Sequence, residues 1–359
     1  MAGESAAGVL DRLGDRWKGI IDRAADLDTL KGQGPARDMF PQPAVPGHEE
    51  AEMLRKQLLR QYRGRKIEDV FAGEEAGEDG CTCYRMHSRS PLSLSMLDPD
   101  TVRERLLGHL RLLYGIGGVT EESLKSQGYH TITDLTRHPR YGPEAARLAA
   151  IIGKGDPAEL TGWIRRWFPG SHPLAFYCSS FHDPGQLVLL DIETLGLSPD
   201  TPVILLGAAF LSGSEVVVSQ YLVREIGEEA AVLKLFLSHL NPGSFLVSFN
   251  GKSFDVPYLK ARMAYYGIKG RIEHPHYDLL YFSRKTWRGG MDNCRLTTLE
   301  EHLFGVTRVN DVPSELVPSF YKTYERTGNI GPLVPIIEHN RQDLVTLARL
   351  FARLHEEWR

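Results

Sequence analysis

The chain of 359 residues lacks several features that mark particular protein classes. Its few cysteines, Cys81, Cys83, Cys178 and Cys294, cannot build a disulfide framework, which favours a reducing, cytoplasmic location. No uninterrupted apolar run approaches the ~18 residues that cross a bilayer, and no apolar leader opens the chain, so neither membrane association nor secretion is expected. Basic residues number 42 against 46 acidic ones, and this balance excludes a strongly basic protein that coats nucleic acid.

The composition is otherwise that of an ordinary globular protein, with 42% hydrophobic and 25% charged residues in a chain longer than one core usually fills. Residues 1–75 are polar and interrupted by glycine and proline, which predicts a flexible helical arm with a linker. Residues 98–170 show helical patterns, and residues 175–359 alternate between strand and helix patterns. More than one domain is therefore expected.

The helical segment at 98–170 contains the turn Gly115-Ile116-Gly117 between two predicted helices. Backbone N–H groups that point outward at such a turn suit a phosphate. Gly115 and Gly117 are therefore candidate nucleic-acid contacts, and the segment resembles a helix-hairpin-helix. A hairpin that needs glycine only to turn is an equally good interpretation.

The residue pattern changes after Gln186. The apolar run QLVLLDIETLG predicts a strand buried on both faces, and VILLGAAFLSG and EVVVSQYLVRE predict two more strands. A helix over EEAAVLKLFLSHL, a fourth strand in SFLVSFNG, a helix from SFDVPYLKARMAYYG and a long amphipathic final helix follow. This order predicts an α/β domain whose mixed sheet is flanked by helices.

Acidic residues stand at the ends of these predicted elements. Asp191 and Glu193 end the first strand and, two residues apart, lie on one face of it. Asp255 follows the fourth strand at the opening of a helix, where capping is the simplest role for that residue alone. His339 and Asp343 are four residues apart on one face of the final helix.

If the sheet brings the four carboxylates together, they would repel one another unless cations neutralise them. Oxygen ligands without thiols select magnesium or manganese. Two such ions roughly 4 Å apart hold the attacking and leaving oxygens of a phosphodiester. His339 is then a candidate general base or water-positioning group, with a plain helix-surface role as the alternative.

The motifs LLDIETLG, FNGKSFDVPYL, HYDLL and HNRQDLVTLA, in that order, resemble the DEDD exonuclease superfamily with its ribonuclease H-like fold. More narrowly, they resemble the YprB-type ribonuclease H-like family of bacteria. GEEAGEDGCTCYR is similar to the strand-rich lead-in of that family, which places a short lead-in at 76–97. The predicted architecture is thus a ribonuclease H-like domain preceded by this lead-in, a smaller helical domain and the arm.

The resemblance also implies roles for individual residues. Two divalent ions, Mg²⁺ or Mn²⁺, would be held by Asp191, Glu193, Asp255 and Asp343. Auxiliary positions would be Asn250 and Asp278. One departure is that His339 stands four residues before Asp343, the spacing that the superfamily gives to tyrosine, whereas its histidine stands five before.

Basic residues interleave with aromatic ones after the second motif, a mixture that binds single-stranded nucleic acid. The candidate contacts are Lys252, Arg284, Lys285 and Arg288. The leading hypothesis is a metal-dependent nuclease that uses two metal ions on single-stranded or end-frayed DNA or RNA. The resemblance implies a 3′–5′ exonuclease. A non-catalytic nucleic-acid-binding module and a structure-specific endonuclease are the alternatives.

Overall fold

The computed structural model describes residues 48–78, 81–308 and 312–359. The helix and linker predicted within residues 1–47 lie outside these ranges. In the described ranges, no helix is both long and apolar enough to cross a membrane.

One mixed sheet forms the centre of the described chain. Its strands are β1 (Gly73–Glu78), β2 (Cys81–Pro91), β3 (Leu187–Thr194), β4 (Val203–Ser212), β5 (Glu215–Leu222), β6 (Phe245–Ser248) and β7 (His276–Asp278). They lie in the order β1-β2-β5-β4-β3-β6-β7. The pairs from β1 to β3 are antiparallel, whereas β3, β6 and β7 run parallel. The predicted mixed α/β sheet is confirmed.

The lead-in strands extend this sheet. β2 pairs with β5 from Tyr84 opposite Leu222 to Pro91 opposite Glu215, and β1 covers the outer edge of β2. Tyr84 is buried together with Leu222 in a core on one side of the sheet. The lead-in therefore shares its hydrogen bonds and part of its core with the C-terminal domain.

Helices flank the sheet and fill the segment before it. They are α1 (His48–Gln61), α2 (Pro99–Leu107), α3 (Gly118–Ser126), α4 (Ile132–Leu135), α5 (Gly142–Lys154), α6 (Pro157–Ile164), α7 (Pro173–Tyr177), α8 (Glu229–Ser238), α9 (Asp255–Tyr265), α10 (Leu279–Trp287), α11 (Leu296–Phe304), α12 (Val317–Thr327) and α13 (Val334–Glu357). Helices α2 to α7 share a core of their own around Leu106, Ile132 and Trp163.

The final helix α13 packs across β3, β4 and β5. Pro335 in its first turn suits a helix start, because proline has no N–H to lose there. Its sheet-facing side is apolar over most of its length, with Leu344 and Phe351 fully buried. Asn340 and Asp343 interrupt that apolar side, and they lie where α13 crosses the strand that carries Asp191.

Candidate active site

Asp191 occupies the sheet position opposite Gly207 on β4. Its Oδ2 accepts a hydrogen bond of 2.7 Å from Nδ2 of Asn340, whose side chain is fully buried. A Cβ on Gly207 would lie only 2.3 Å from Oδ1 of Asn340. Glycine at this position therefore leaves the space through which the amide of α13 reaches the strand carboxylate.

The predicted carboxylates face one another. The pKa of Asp191 is raised well above 3.8, first by burial and then by the negative charges of Asp343, Asp255 and Glu193. Asp255 is buried, and its Oδ1 accepts a hydrogen bond of 3.2 Å from the N–H of Ile192. Burial raises the pKa of Asp255 to about 7. The sheet thus brings together charges that are far apart in the sequence.

The helix-capping interpretation of Asp255 is wrong. Phe254 is the N-cap residue of α9, and Asp255 is the first residue inside the helix. Its carboxylate turns to the backbone of β3. A strand-to-helix bond of this kind positions the carboxylate beside Asp191.

Asp343 is engaged by two neighbours. Nε2 of His339, one helical turn earlier, lies 3.3 Å from its Oδ2, as their spacing predicts. The guanidinium of Arg308 donates a hydrogen bond to its Oδ1 and lies 3.2 Å from Nδ1 of His339. Nε of Arg308 donates to the buried carboxylate of Glu300 at 2.6 Å. The guanidinium of Arg308 therefore places a positive charge at one side of the carboxylate cluster.

Sequence reasoning missed three residues of this site: Asn340, Arg308 and Glu300. Asn340 stands inside the motif HNRQDLVTLA, three residues before Asp343. This spacing places its amide on the same face of the helix and could have indicated a role beside the carboxylates. Arg308 and Glu300 belong to no motif. Their contacts join a loop, α11 and α13, and no local pattern marks such an arrangement.

The predicted auxiliary residues shape the loop after β6. Oδ1 of Asp278 accepts the N–H of Asn250 at 2.8 Å, and its Oδ2 accepts the N–H of Lys252 at 3.1 Å. Asn250 takes a left-handed conformation with φ of 67°. A Cβ on Gly251 would lie 2.4 Å from Oγ of Ser248, so the loop passes close to β6 before it delivers Asp255.

The predicted nucleic-acid contacts occupy two places. Lys252 is partly buried beside the site, and burial together with the charge of Arg165 lowers its pKa to about 8. The exposed residues on α10 and just after it are Arg284, Lys285 and Arg288. In the helical segment, Gly115 has a φ of 77° and Gly117 precedes α3. The nucleic-acid-binding roles of these residues stay predictions.

The donor set fits a hard divalent cation in its chemistry. The carboxylates repel one another, and their excess negative charge is what such an ion neutralises. Within the residues that the structure describes, no three acidic, histidine or cysteine side chains are arranged to hold a metal ion as they stand. The bond between Arg308 and Asp343 is one physical reason, because it occupies an oxygen that a metal would use.

Comparison with known proteins bears on this domain. Residues 188–355 match a family model described as the RNase_H superfamily. The match covers just under half of the chain, and the mixed sheet flanked by helices is consistent with a ribonuclease H-like fold. YprB of Bacillus subtilis strain 168 is 32% identical over 208 residues, which cover 56% of this chain and 49% of YprB. The chain therefore spans about half the length of this relative. The predicted likeness to YprB-type, ribonuclease H-like proteins is confirmed, while the DEDD assignment stays a prediction.

Two solved structures are similar at a lower level. The family B DNA polymerase from the archaeon Pyrobaculum calidifontis is 15% identical, with 47% of this chain and 27% of the polymerase covered and a TM-score of 0.33. NrnC of Brucella melitensis with bound Mg²⁺ is 18% identical, with 49% and 86% covered and a TM-score of 0.26.

Proposed function

We propose that the protein is a metal-dependent nuclease whose ribonuclease H-like domain hydrolyses phosphodiester bonds of DNA or RNA. One observation carries the proposal: Asp191 on β3 is buried, and the negative charges of carboxylates on α13 and α9 lie close enough to raise its pKa further. Such a cluster costs folding free energy unless a ligand uses it, because like charges in a buried site repel. The match of residues 188–355 to the RNase_H superfamily model supports the same proposal.

The ligands of the metal would be Asp191, Glu193, Asp255 and Asp343. When bound, two divalent ions roughly 4 Å apart supply charge stabilisation to both oxygens of the scissile bond. Asn340 and the N–H of Ile192 hold Asp191 and Asp255 in fixed orientations. Oriented carboxylates matter because a site must be arranged before the charge of the transition state develops.

His339 is suited to accept a proton from the attacking water. Its Nε2 lies 3.3 Å from Asp343, and a carboxylate at that distance favours the imidazolium, while the guanidinium of Arg308 at 3.2 Å from Nδ1 opposes it. We extend the proposal to a 3′–5′ exonuclease. The polarity is supported by the motif resemblance alone.

The test is degradation of end-labelled DNA and RNA by Asp191→Asn in Mg²⁺ or Mn²⁺. We expect the rate to fall about a hundredfold or more, the scale on which loss of a transition-state stabilising group acts. The variant should unfold at the same or a higher temperature in chelator, because one repelling charge is gone. Asp100→Asn is the matched control, since that side chain is 84% exposed in the helical segment. A variant as active as the parent would refute the carboxylate mechanism.

Circular and linear substrates separate the two nuclease modes. An exonuclease degrades linear strands and leaves circles intact, whereas a structure-specific endonuclease opens a circle that contains a junction. Release of mononucleotides from a 3′ label before any signal from a 5′ label would support the proposed polarity.

The bond between Arg308 and Asp343 favours one alternative, a non-catalytic nucleic-acid-binding module. In that case the arginine would neutralise the site permanently. Oligonucleotide binding that persists in chelator, with no turnover under Mg²⁺, Mn²⁺ or other divalent ions, would support this alternative over the nuclease.

A further inference from the structure

The helical segment exposes two aromatic rings side by side. Tyr114 is 68% exposed and Trp167 is 38% exposed, and their ring centroids lie 5.6 Å apart at an interplanar angle of 44°. Tyr114 stands directly before the turn at Gly115, and Trp167 follows α6. Large apolar groups that stay together at a surface typically mark an interaction site.

One arginine lies at the turn that carries Tyr114, and two more precede Trp167 in the chain. A Cβ on Gly115 would lie 3.5 Å from Nη2 of Arg140, so that guanidinium sits at the turn that carries Tyr114. Arg165 and Arg166 directly precede Trp167, and Arg166 lies 4.5 Å from the ring centre of Trp163. Among the ion pairs between described residues, none involves Arg140, Arg165 or Arg166.

Two acidic groups near this turn have partners of their own. Glu121 pairs with Arg111 at 2.8 Å and with Lys125 at 3.0 Å. Glu144 accepts the backbone N–H of Tyr114 at 3.2 Å. Glu121 is therefore neutralised by its own cations, and the exposed Arg140, Arg165 and Arg166 stay available to an anion from outside.

The positive charge continues toward the carboxylates. Burial and then the charge of Arg165 lower the pKa of Lys252, and burial followed by the charges of Lys252 and Arg165 lowers the pKa of His276 on β7. Lys252 lies in the loop that Asp278 fixes, three residues before Asp255. Arg165 thus lies close to the loop of the candidate active site and stands two residues before Trp167 in the chain.

We propose that Tyr114, Arg140, Arg165, Arg166 and Trp167, here called the aromatic-arginine face, bind a single strand of nucleic acid on its way to the carboxylates. Bases stack on the two rings, and phosphates lie on the arginines and Lys252. Exposed rings favour an unpaired strand, since bases in a duplex already stack on each other. This inference rests on the proposed function, because it names the part of the protein that holds the substrate.

The test compares Tyr114→Ala/Trp167→Ala with the parent by fluorescence anisotropy on a labelled single-stranded oligonucleotide in chelator, where no cleavage occurs. We expect Kd to rise about tenfold or more, because each lost stacking ring weakens binding. Tyr265→Ala is the matched control, since that ring is 72% exposed on α9 and should leave Kd unchanged. Phenylalanine at both positions should restore binding. Binding by the alanine variant equal to that of the parent would overturn the proposal.

A second measurement separates this inference from the proposed function. The p-nitrophenyl ester of thymidine 5′-monophosphate is a phosphodiester with a single nucleotide, so it cannot occupy the carboxylates and extend along the face as a strand does. The double variant should hydrolyse it at the parent's rate while it degrades long strands more slowly. If the parent fails to hydrolyse any substrate, the proposed function fails, and the anisotropy result still decides on the face. Displacement of the oligonucleotide by poly-glutamate at equal charge concentration would instead indicate an acidic polypeptide as partner and refute the proposal.

Discussion

The guanidinium of Arg308 donates a hydrogen bond to the carboxylate of Asp343, the last member of the candidate metal-binding set. Nε of Arg308 lies 2.6 Å from Oε2 of Glu300, whose side chain is 1% exposed. The hydroxyl of Thr346 donates to the same Glu300 carboxylate at 2.7 Å. Glu300 is therefore held in place by α13, and it in turn fixes the position of Arg308. Arg308 therefore supplies a positive charge at Asp343, and a divalent ion at the candidate site would compete with it for this carboxylate.

This competition predicts two opposite effects of Arg308→Gln. In chelator the variant should lose about 3 kcal/mol of unfolding free energy, because the buried Glu300 is left without its cation. Mn²⁺ should raise the melting temperature of the variant by more than it raises that of the parent, because Asp343 is then free to bind the metal. Thermal unfolding with and without Mn²⁺ measures both effects.

The control for this pair of measurements is Arg353→Gln, which removes a partly exposed ion pair with Glu357 on the same helix α13. It should change stability by less than about 0.5 kcal/mol in either condition. If Mn²⁺ raises the melting temperatures of the parent and of Arg308→Gln by the same amount, Arg308 does not compete with the metal for Asp343.

The sequence was informative where the chemistry is local. A run of buried residues ending in Asp191 and Glu193 predicts a strand end, and the four-residue spacing of His339 and Asp343 predicts their contact. The sheet, the helix after Asp255 and the long final helix were likewise visible as periodic patterns. Each of these features follows from residues close together in the chain.

The remainder of the site depends on contacts between distant elements. Gly207 looks like any small residue in an apolar strand, and its importance appears only because α13 places Asn340 against it. Arg308 reaches Glu300 and Asp343 from a loop without a motif. Long-range partners of this kind have no periodic signature, so a single sequence does not identify them.

Gly207→Ala should damage the site through its neighbour on α13. The new methyl group would lie 2.3 Å from Oδ1 of Asn340 and 2.5 Å from a methyl group of Leu344. We expect a loss of about 1–3 kcal/mol in urea unfolding, the usual cost of overpacking a core. Nuclease activity should fall further than the unfolded fraction explains, because Asn340 no longer orients Asp191.

The control is Gly153→Ala on α5, where a new Cβ meets open space. This variant should keep full activity and gain up to about 1 kcal/mol of unfolding free energy. Full activity of a folded Gly207→Ala protein would contradict the orienting role.

The raised pKa of Asp255 predicts how the metal-free stability depends on pH. Its pKa is about 7 in the folded chain against an ordinary 3.8, so between these values the folded state holds a proton that the unfolded state has lost. Stability from this group is therefore complete at low pH and is lost as the pH rises toward about 7. Unfolding free energies of the parent minus those of Asp255→Asn, measured in chelator, should decline across this window.

Metal binding should show the opposite trend over the same window. Protons compete with the ion for Asp191 and Asp255, so the apparent affinity for Mn²⁺ should rise as the pH increases toward about 7. Isothermal titration at several pH values measures this directly. A difference curve or an Mn²⁺ affinity that stays flat with pH would indicate that these carboxylates are ionised throughout.

Arg262 and Arg284 illustrate why a basic residue after the second motif is not automatically a nucleic-acid contact. Arg262 is 3% exposed, and its Nε and Nη2 bind the buried carboxylate of Glu229 at 2.7 and 2.6 Å. Arg262→Met should therefore cost about 3–5 kcal/mol of stability, because Glu229 keeps an unpaired buried charge. Oligonucleotide affinity should stay unchanged at temperatures where the variant is folded.

Arg284 is exposed, and Arg284→Met should have the opposite effects. Its stability should be unaltered, while oligonucleotide binding should be weaker and depend less steeply on salt concentration. Weaker binding by folded Arg262→Met would mean that this ion pair opens toward the substrate, and unchanged binding by Arg284→Met would remove Arg284 from the predicted contacts.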